Sequence, residues 1–143
     1  MTYGNLRRLE EGSRIQRDVY YGQVKLNGEG HEESLRAANN YASTLRKLER
    51  FEEAKSLMRK SIPIARRVLG EGHRLTLKMR KSYAGALCEN PGATLDHLRE
   101  AVTTLEDTAR IARRVFGDAH PLTGANDDDL RNVRAMLRVR GGA

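Results

Sequence analysis

Three histidines recur along the chain at similar spacings and are the first candidates for chemistry. His73 follows His31 by 42 residues, and His120 follows His73 by 47 residues. Histidine acts in proteins as an acid–base catalyst and as a metal ligand, but a metal ion needs several ligands at one point. Because each histidine begins a different segment of a repeating pattern, the three side chains are expected to lie far apart. They are therefore predicted to be turn or helix-start residues, and the chain is predicted to hold no metal and no cofactor.

The other polar residues predict no catalytic site. Asp127, Asp128 and Asp129 form a run without the spacing of a calcium loop, and we interpret them as complementing a helix N-terminus. Cys88 has no repeated histidine near it, and no serine stands in a G-x-S-x-G motif. The two Gly-Glu-Gly stretches lack the ending of a phosphate-binding loop, and His97 is interpreted as a surface or groove-edge residue. The chain is therefore predicted not to be an enzyme.

The composition indicates which partners suit the chain. The formal net charge is +7, so acidic peptides, nucleic acid and anionic lipids are all electrostatically compatible. Aromatic residues make up only 5% of the sequence, which argues against a deep apolar ligand pocket. No apolar run approaches the ~18 residues of a membrane span, and the N-terminus lacks the apolar core of a signal peptide. With a single cysteine, the chain is expected to be cytoplasmic.

The histidines belong to a phrase that the chain repeats. Its copies are KLNGEGH at 25–31, RRVLGEGH at 66–73 and RRVFGDAH at 113–120. The flanking sequences repeat as well: NLRRLEEG at 5–12 matches KLERFEEA at 47–54, and NNYASTL at 39–45 matches KSYAGAL at 81–87. A period of this length indicates stacked supersecondary units. The later period is five residues longer because of an insertion around CENPGATL, 88–95.

Apolar residues between these phrases recur at steps of three and four residues, as on one face of an amphipathic helix. Gly70 and Gly117 stand where a helix C-terminus takes a positive φ, and Pro63 is predicted to kink a helix without ending it. The pattern predicts six antiparallel helices at about residues 5–27, 32–48, 51–69, 74–89, 94–116 and 121–139. They form one helical-repeat domain, 1–143, with a partial unit at 1–31, units at 32–72 and 73–119, and a terminal helix at 120–143.

These features resemble a known family. Small residues at Ala42 and Ala54, aromatic residues at Tyr41 and Phe51, and L-G-x-x-H between units are similar to tetratricopeptide repeats. The 42-residue period with longer helices and LGEGH-type linkers resembles the kinesin-light-chain type. The resemblance implies an all-α fold, a right-handed superhelix (α-solenoid) of helix pairs. It also implies a non-enzymatic protein–protein interaction module whose first helices line a concave face.

By the same resemblance, groove-facing positions are carried onto this sequence. In one unit they are Arg36, Asn39, Ser43, Arg46 and Lys47. In the next unit they are Lys78, Lys81, Gly85, Cys88 and Glu89, and the terminal helix adds Asp128 and Asn132. Asn39 is expected to hydrogen-bond the backbone of a bound peptide, because its amide offers a donor and an acceptor. Lys81 replaces it in the next unit and would attract carboxylates.

Two function classes remain open at this point. The first is a module that binds an extended, acidic peptide segment on a basic concave face. The alternative is a structural or linker subunit, docked into a larger assembly or a homo-oligomer through its convex face or its open N-terminal helix. That helix carries the apolar residues Leu6, Leu9, Ile15, Val19 and Tyr20. A basic face that is merely solvated is a further possibility. Nucleic acid is disfavoured, because Tyr41, Tyr83 and Phe51 are assigned to the core.

Overall fold

A computed structural model describes residues 2–141 of the chain. Six α-helices follow one another: α1 Tyr3–Asn27, α2 Glu32–Lys47, α3 Phe51–Val68, α4 Arg74–Cys88, α5 Leu95–Phe116 and α6 Pro121–Gly141. Each helix packs against the next one along the chain, and α2 also packs against α4. No strand occurs within residues 2–141. The predicted all-α solenoid is confirmed, and every helix boundary agrees with the prediction to within two residues.

The repeated histidines begin the first helix of each pair. Nδ1 of His31, His73 and His120 accepts a hydrogen bond from the backbone N–H two residues further on, at 3.1, 3.0 and 3.0 Å. This side-chain acceptor satisfies one of the N–H groups that a helix N-terminus leaves without a partner. The prediction that the histidines are helix-start residues is confirmed, and the physical reason is N-capping.

Each linker also contains a glycine with a positive φ, and a hydroxyl residue stands three residues after each histidine. Gly28, Gly70 and Gly117 have φ of 88°, 100° and 87°, a range that favours glycine because it has no Cβ. Three residues after the histidine, Ser34 and Thr123 donate hydrogen bonds to the carbonyls of Gly28 and Gly117 at 2.7 and 2.8 Å. Thr76, at the same place after His73, donates instead to the carbonyl of Ala65 at 3.5 Å. No role for this hydroxyl residue was predicted from the sequence.

The core forms where small residues allow helices to cross closely. Ala42, Ala54, Ala84 and Ala101 are each at most 1% exposed, as predicted. A continuous apolar cluster extends from α1 to α6, and a smaller one joins Leu77 of α4 to the ends of α5 and α6. Helix α3 continues through Pro63 as a single helix. In the part of the chain described here, no helix is long and apolar enough to cross a membrane.

Helix α1 is covered less than the other helices. Within it only Ser13 and Tyr20 are buried, and its exposed apolar residues are Tyr3, Leu6, Ile15, Val19, Tyr21 and Leu26. Gly12 aligns with the fully buried Ala54, yet a Cβ at Gly12 would meet nothing within 4 Å. Helix α1 therefore packs less closely at Gly12 than α3 does at Ala54, and it leaves apolar side chains such as Ile15 and Val19 exposed.

Candidate functional site

A groove between the first helices α2, α4 and α6 contains most of the predicted site residues. Its volume is about 530 Å³. Seven of the groove-facing positions are the predicted peptide-binding residues: Arg36, Asn39, Ser43, Arg46, Lys47, Lys78 and Lys81. Five of these line the groove, namely Asn39, Ser43, Arg46, Lys78 and Lys81. Further lining residues, which sequence reasoning missed, are Arg74, Ser82, His120 and Pro121. Arg74 is the first residue of α4 and Pro121 is the first residue of α6. This position at a helix start is the signal by which the sequence could have indicated that they line the groove.

The structure does not bring Arg36 and Lys47 into this groove. Arg36 forms ion pairs within its own helix, with Glu32 at 3.1 Å and Glu33 at 3.6 Å. Lys47 is the last residue of α2 and is exposed. Both cations therefore contribute to the surface charge without lining the groove.

Two cations of the groove are already paired with carboxylates. Arg46 of α2 donates from Nε and Nη2 to the two oxygens of Glu89, at 2.9 and 2.7 Å. Nζ of Lys81 lies 3.2 Å from Oδ2 of Asp129 on α6. A bidentate guanidinium–carboxylate pair is the stronger of these two arrangements. Neither cation is therefore available to a ligand without competing with a carboxylate of the protein.

The remaining two cations of the groove, Arg74 and Lys78, have no carboxylate within 4.0 Å anywhere in residues 2–141. Both side chains are exposed, and both stand on α4 one helical turn apart. An incoming anion would meet these two charges first. The unpaired positive charge of the groove is thus concentrated at the N-terminal half of α4.

Gly85 allows Arg46 to reach its partner across the groove. A Cβ at position 85 would overlap the Arg46 guanidinium, so the side chain lies directly against the backbone of α4. Arg46 and Lys81 also line a second cavity of about 230 Å³ between α4 and α6, together with Cys88 and Glu89. Asn132 lines this second cavity as well, whereas Asp128 does not line either one.

The Asn39 amide is partly used within the protein. Its Oδ1 accepts a hydrogen bond from the Ser82 hydroxyl at 2.9 Å, which links α2 to α4. This contact orients the amide and leaves its N–H₂ group without a partner among residues 2–141. An oriented amide N–H₂ can donate to a peptide carbonyl.

The carboxylate run on α6 does not complement a helix N-terminus, so that interpretation is wrong. Helix α6 begins at Pro121 and has no acidic residue in its first turn. Asp127, Asp128 and Asp129 instead form ion pairs, in that order with Arg113, Arg131 and Lys81, at 2.7, 3.3 and 3.2 Å.

His97 likewise has a role that the sequence did not indicate. It forms a capping box with Thr94, each accepting a bond from the other's backbone N–H at 3.1 Å.

Cys88 is not set up as a nucleophile. Burial, with a smaller contribution from the charge of Glu89, raises the pKa of its thiol to about 11. The thiolate is the reactive form, so Cys88 is a neutral, unreactive thiol at neutral pH. Within residues 2–141, no three side chains of His, Cys, Asp or Glu are grouped closely enough to hold a metal ion.

Comparison with known proteins relates this arrangement to one family. The model of the tetratricopeptide repeat family matches residues 34–75 and 93–122, which together are half of the chain. The first match covers α2, α3 and the linker that follows them, and the second covers α5 and the next linker. No curated protein matches the chain.

Proposed function

The chain belongs to the tetratricopeptide repeat family, and from this premise we propose that it binds an extended, acidic segment of a partner protein in the groove between α2, α4 and α6. Repeats of this family generally mediate protein–protein interactions without catalysing a reaction. The proposal rests on two cations that have no carboxylate partner, Arg74 and Lys78. They line the same groove as the oriented amide of Asn39.

Several features support the finer parts of this proposal. The net charge of +7 favours an acidic partner and would accelerate association at low salt. The 42-residue distance from His31 to His73, with the LGEGH linker, supports assignment to the kinesin-light-chain type. A cytoplasmic location is part of the proposal and is supported by the single cysteine.

Reversing the charge of Lys78 is the experiment that tests this function. The probe is a fluorescent ten-residue peptide of alternating glutamate and serine, and the readout is anisotropy at several salt concentrations. We expect Lys78→Glu to weaken binding about tenfold, because an attractive contact becomes a repulsive one. Asn39→Ala is expected to raise the dissociation rate while leaving the association rate unchanged, because it removes a short-range contact.

Lys47→Glu provides a matched control for this experiment. It changes the net charge by the same amount, but its position lies outside the groove. We expect it to weaken binding less than twofold. Equal losses for Lys47→Glu and Lys78→Glu would mean that the peptide responds only to overall charge, and the groove would then not be the binding site.

A second candidate function is favoured by α1. Ile15, Val19 and Tyr21 of this helix are 63%, 48% and 59% exposed, as on a surface that another chain covers. In this proposal the protein is a structural subunit that docks, or self-associates, through α1. We expect light scattering to show a mass that rises toward that of a dimer with concentration, and Ile15→Glu to abolish the rise.

The matched control for this second function is Val139→Glu, since Val139 is 82% exposed but lies on α6. It should leave the association unchanged. A single monomer mass at all concentrations would contradict self-association.

A further inference from the structure

Two equivalent grooves lie between the second helices of the pairs. The first groove, between α1 and α3 above α2, has a volume of about 420 Å³. The second, between α3 and α5 above α4, has a volume of about 290 Å³. Tyr41 lines the first and Tyr83 the second, and the two tyrosines occupy the same position of the repeat. Tyr41 is two residues from Asn39, about 200° around α2, so these grooves lie away from the peptide groove.

The second groove contains an arginine side chain of the protein itself. Nε of Arg59 donates a hydrogen bond to the Tyr83 hydroxyl at 2.9 Å, and the guanidinium carbon lies 5.7 Å from the centre of the Tyr83 ring. Nη2 of Arg59 is 3.7 Å from Oε1 of Glu100, and the Tyr83 hydroxyl donates to the same carboxylate. A ring, a hydroxyl and a carboxylate thus hold one guanidinium.

The first groove has the same three residue types at the corresponding positions. Arg17, Tyr41 and Glu53 align with Arg59, Tyr83 and Glu100. The contacts differ, however: Nε of Arg17 lies 3.7 Å from Oδ1 of its neighbour Asp18, and Arg17 acts on the Tyr41 hydroxyl through its charge without a hydrogen bond. Among residues 2–141 the Tyr41 hydroxyl has no side-chain hydrogen-bond partner, and Glu53 meets only Arg50, at 3.9 Å. Within residues 2–141 no guanidinium stacks on the Tyr41 ring as that of Arg59 does on Tyr83.

The surroundings of Tyr41 suit a cation. Tyr20 lies beside it with ring centres 6.5 Å apart, and Tyr21 stands 5.2 Å from Tyr20 at the exposed edge of the groove. Glu52, Glu53 and Lys60 line the opposite wall. Lys60 Nζ lies 3.2 Å from Oε1 of Glu29, outside this lining, and Glu52 pairs with Lys55 at 3.0 Å. Aromatic faces and carboxylates both attract cations, and a planar guanidinium also stacks on a ring. The site thus combines aromatic rings with two carboxylates, and a guanidinium entering it would compete with Arg50 for Glu53.

We propose that the groove between α1 and α3 binds an arginine side chain presented by a partner protein, with Tyr41 and Glu53 taking the roles that Tyr83 and Glu100 have toward Arg59. The site is separate from the peptide groove and does not depend on it. Arginine is favoured over lysine because its planar fork can contact the ring, the hydroxyl and the carboxylate together, as Arg59 does.

A titration with blocked arginine (N-acetyl-arginine amide) tests the proposal in the full chain. NMR of the tyrosine rings is the readout, and we expect saturable shifts of Tyr41 at millimolar ligand. The citrulline analogue has nearly the same shape without the charge and should produce no saturable shift. Glu53→Gln should weaken binding at least fivefold. Glu100→Gln, the matched change in the second groove, should leave the Tyr41 titration unaltered.

Three results would overturn the proposal. The first is an equal response to citrulline, and the second is unchanged binding in Glu53→Gln. The third is binding that appears only after Arg17→Ala, because the protein's own arginine would then be the occupant. Tyr41→Phe gives a further check, since it keeps the ring, removes the hydroxyl and should weaken binding.

Discussion

Replacing Ala54 with leucine is expected to lower the free energy of unfolding by about 1–3 kcal/mol. Ala54 is fully buried where α3 crosses its neighbours, and Ala101 occupies the corresponding place in α5. A larger side chain there would force the helices apart or into unfavourable rotamers. Urea unfolding, monitored by circular dichroism at 222 nm, measures the change.

Gly12→Ala is the matched control for this prediction. Gly12 aligns with Ala54, but a Cβ there would meet nothing within 4 Å. Alanine at this helical position should raise the free energy of unfolding by about 0.5–1 kcal/mol through higher helix propensity alone. Should Ala54→Leu leave the unfolding curve unchanged, the assignment of position 54 to a close helix crossing would be incorrect.

Replacing Asp107 with alanine is expected to cost about 2 kcal/mol of unfolding free energy. Nη2 of Arg80 lies 2.7 Å from Asp107 Oδ2, and the Arg80 side chain is only 10% exposed. Without the carboxylate, a buried guanidinium would have no partner, which costs about 3–5 kcal/mol in fully buried pairs. The Asp107 side chain is one third exposed, so screening by water places the expected cost below that range. Chemical unfolding at neutral pH measures the effect.

Arg80→Met tests whether the cost of Asp107→Ala arises because the buried guanidinium of Arg80 loses its partner. It replaces the guanidinium with an apolar side chain, so it should cost under about 1 kcal/mol, and Asp107→Ala should add little in its presence. Burial raises the pKa of Asp107, but hydrogen bonds and charges of Arg80 and Arg110 outweigh this and lower it overall. The stabilisation is thus complete above the unfolded-state pKa and is lost as the pH falls through the lower folded-state pKa. An Asp107→Ala penalty that persists in the Arg80→Met background would contradict this account.

The helices could be predicted because their boundaries depend on signals that act within a few residues. Gly70 ends a pair through its positive φ, and His73 begins the next helix through its own N-cap bond. Positions such as Ala54 and Ala101 could be assigned to the core because the repeat aligns them. The order of the helices and the location of the core therefore follow from local chemistry and repetition.

The electrostatic state of the groove could not be predicted in the same way. Arg46 reaches Glu89, 43 residues away, and Lys81 reaches Asp129 on another helix. Which cations remain unpaired depends on how successive pairs stack, including the insertion between α4 and α5. For this reason the sequence indicated a basic groove, whereas the structure distinguishes Arg74 and Lys78 from the paired cations.

The packing of α2 against α4 has a mechanical consequence. These two helices pack against each other and are cross-linked by the Ser82–Asn39 and Arg46–Glu89 bonds, whereas a cavity of about 230 Å³ lies between α4 and α6. The α2–α4 wall of the groove is therefore expected to yield less to a bulky segment than the α4–α6 wall. Moving α6 away from α4 would break the Lys81–Asp129 bridge and would also disturb the packing of α6 on α5 and of Leu122 on Leu77, so the groove is expected to widen only slightly.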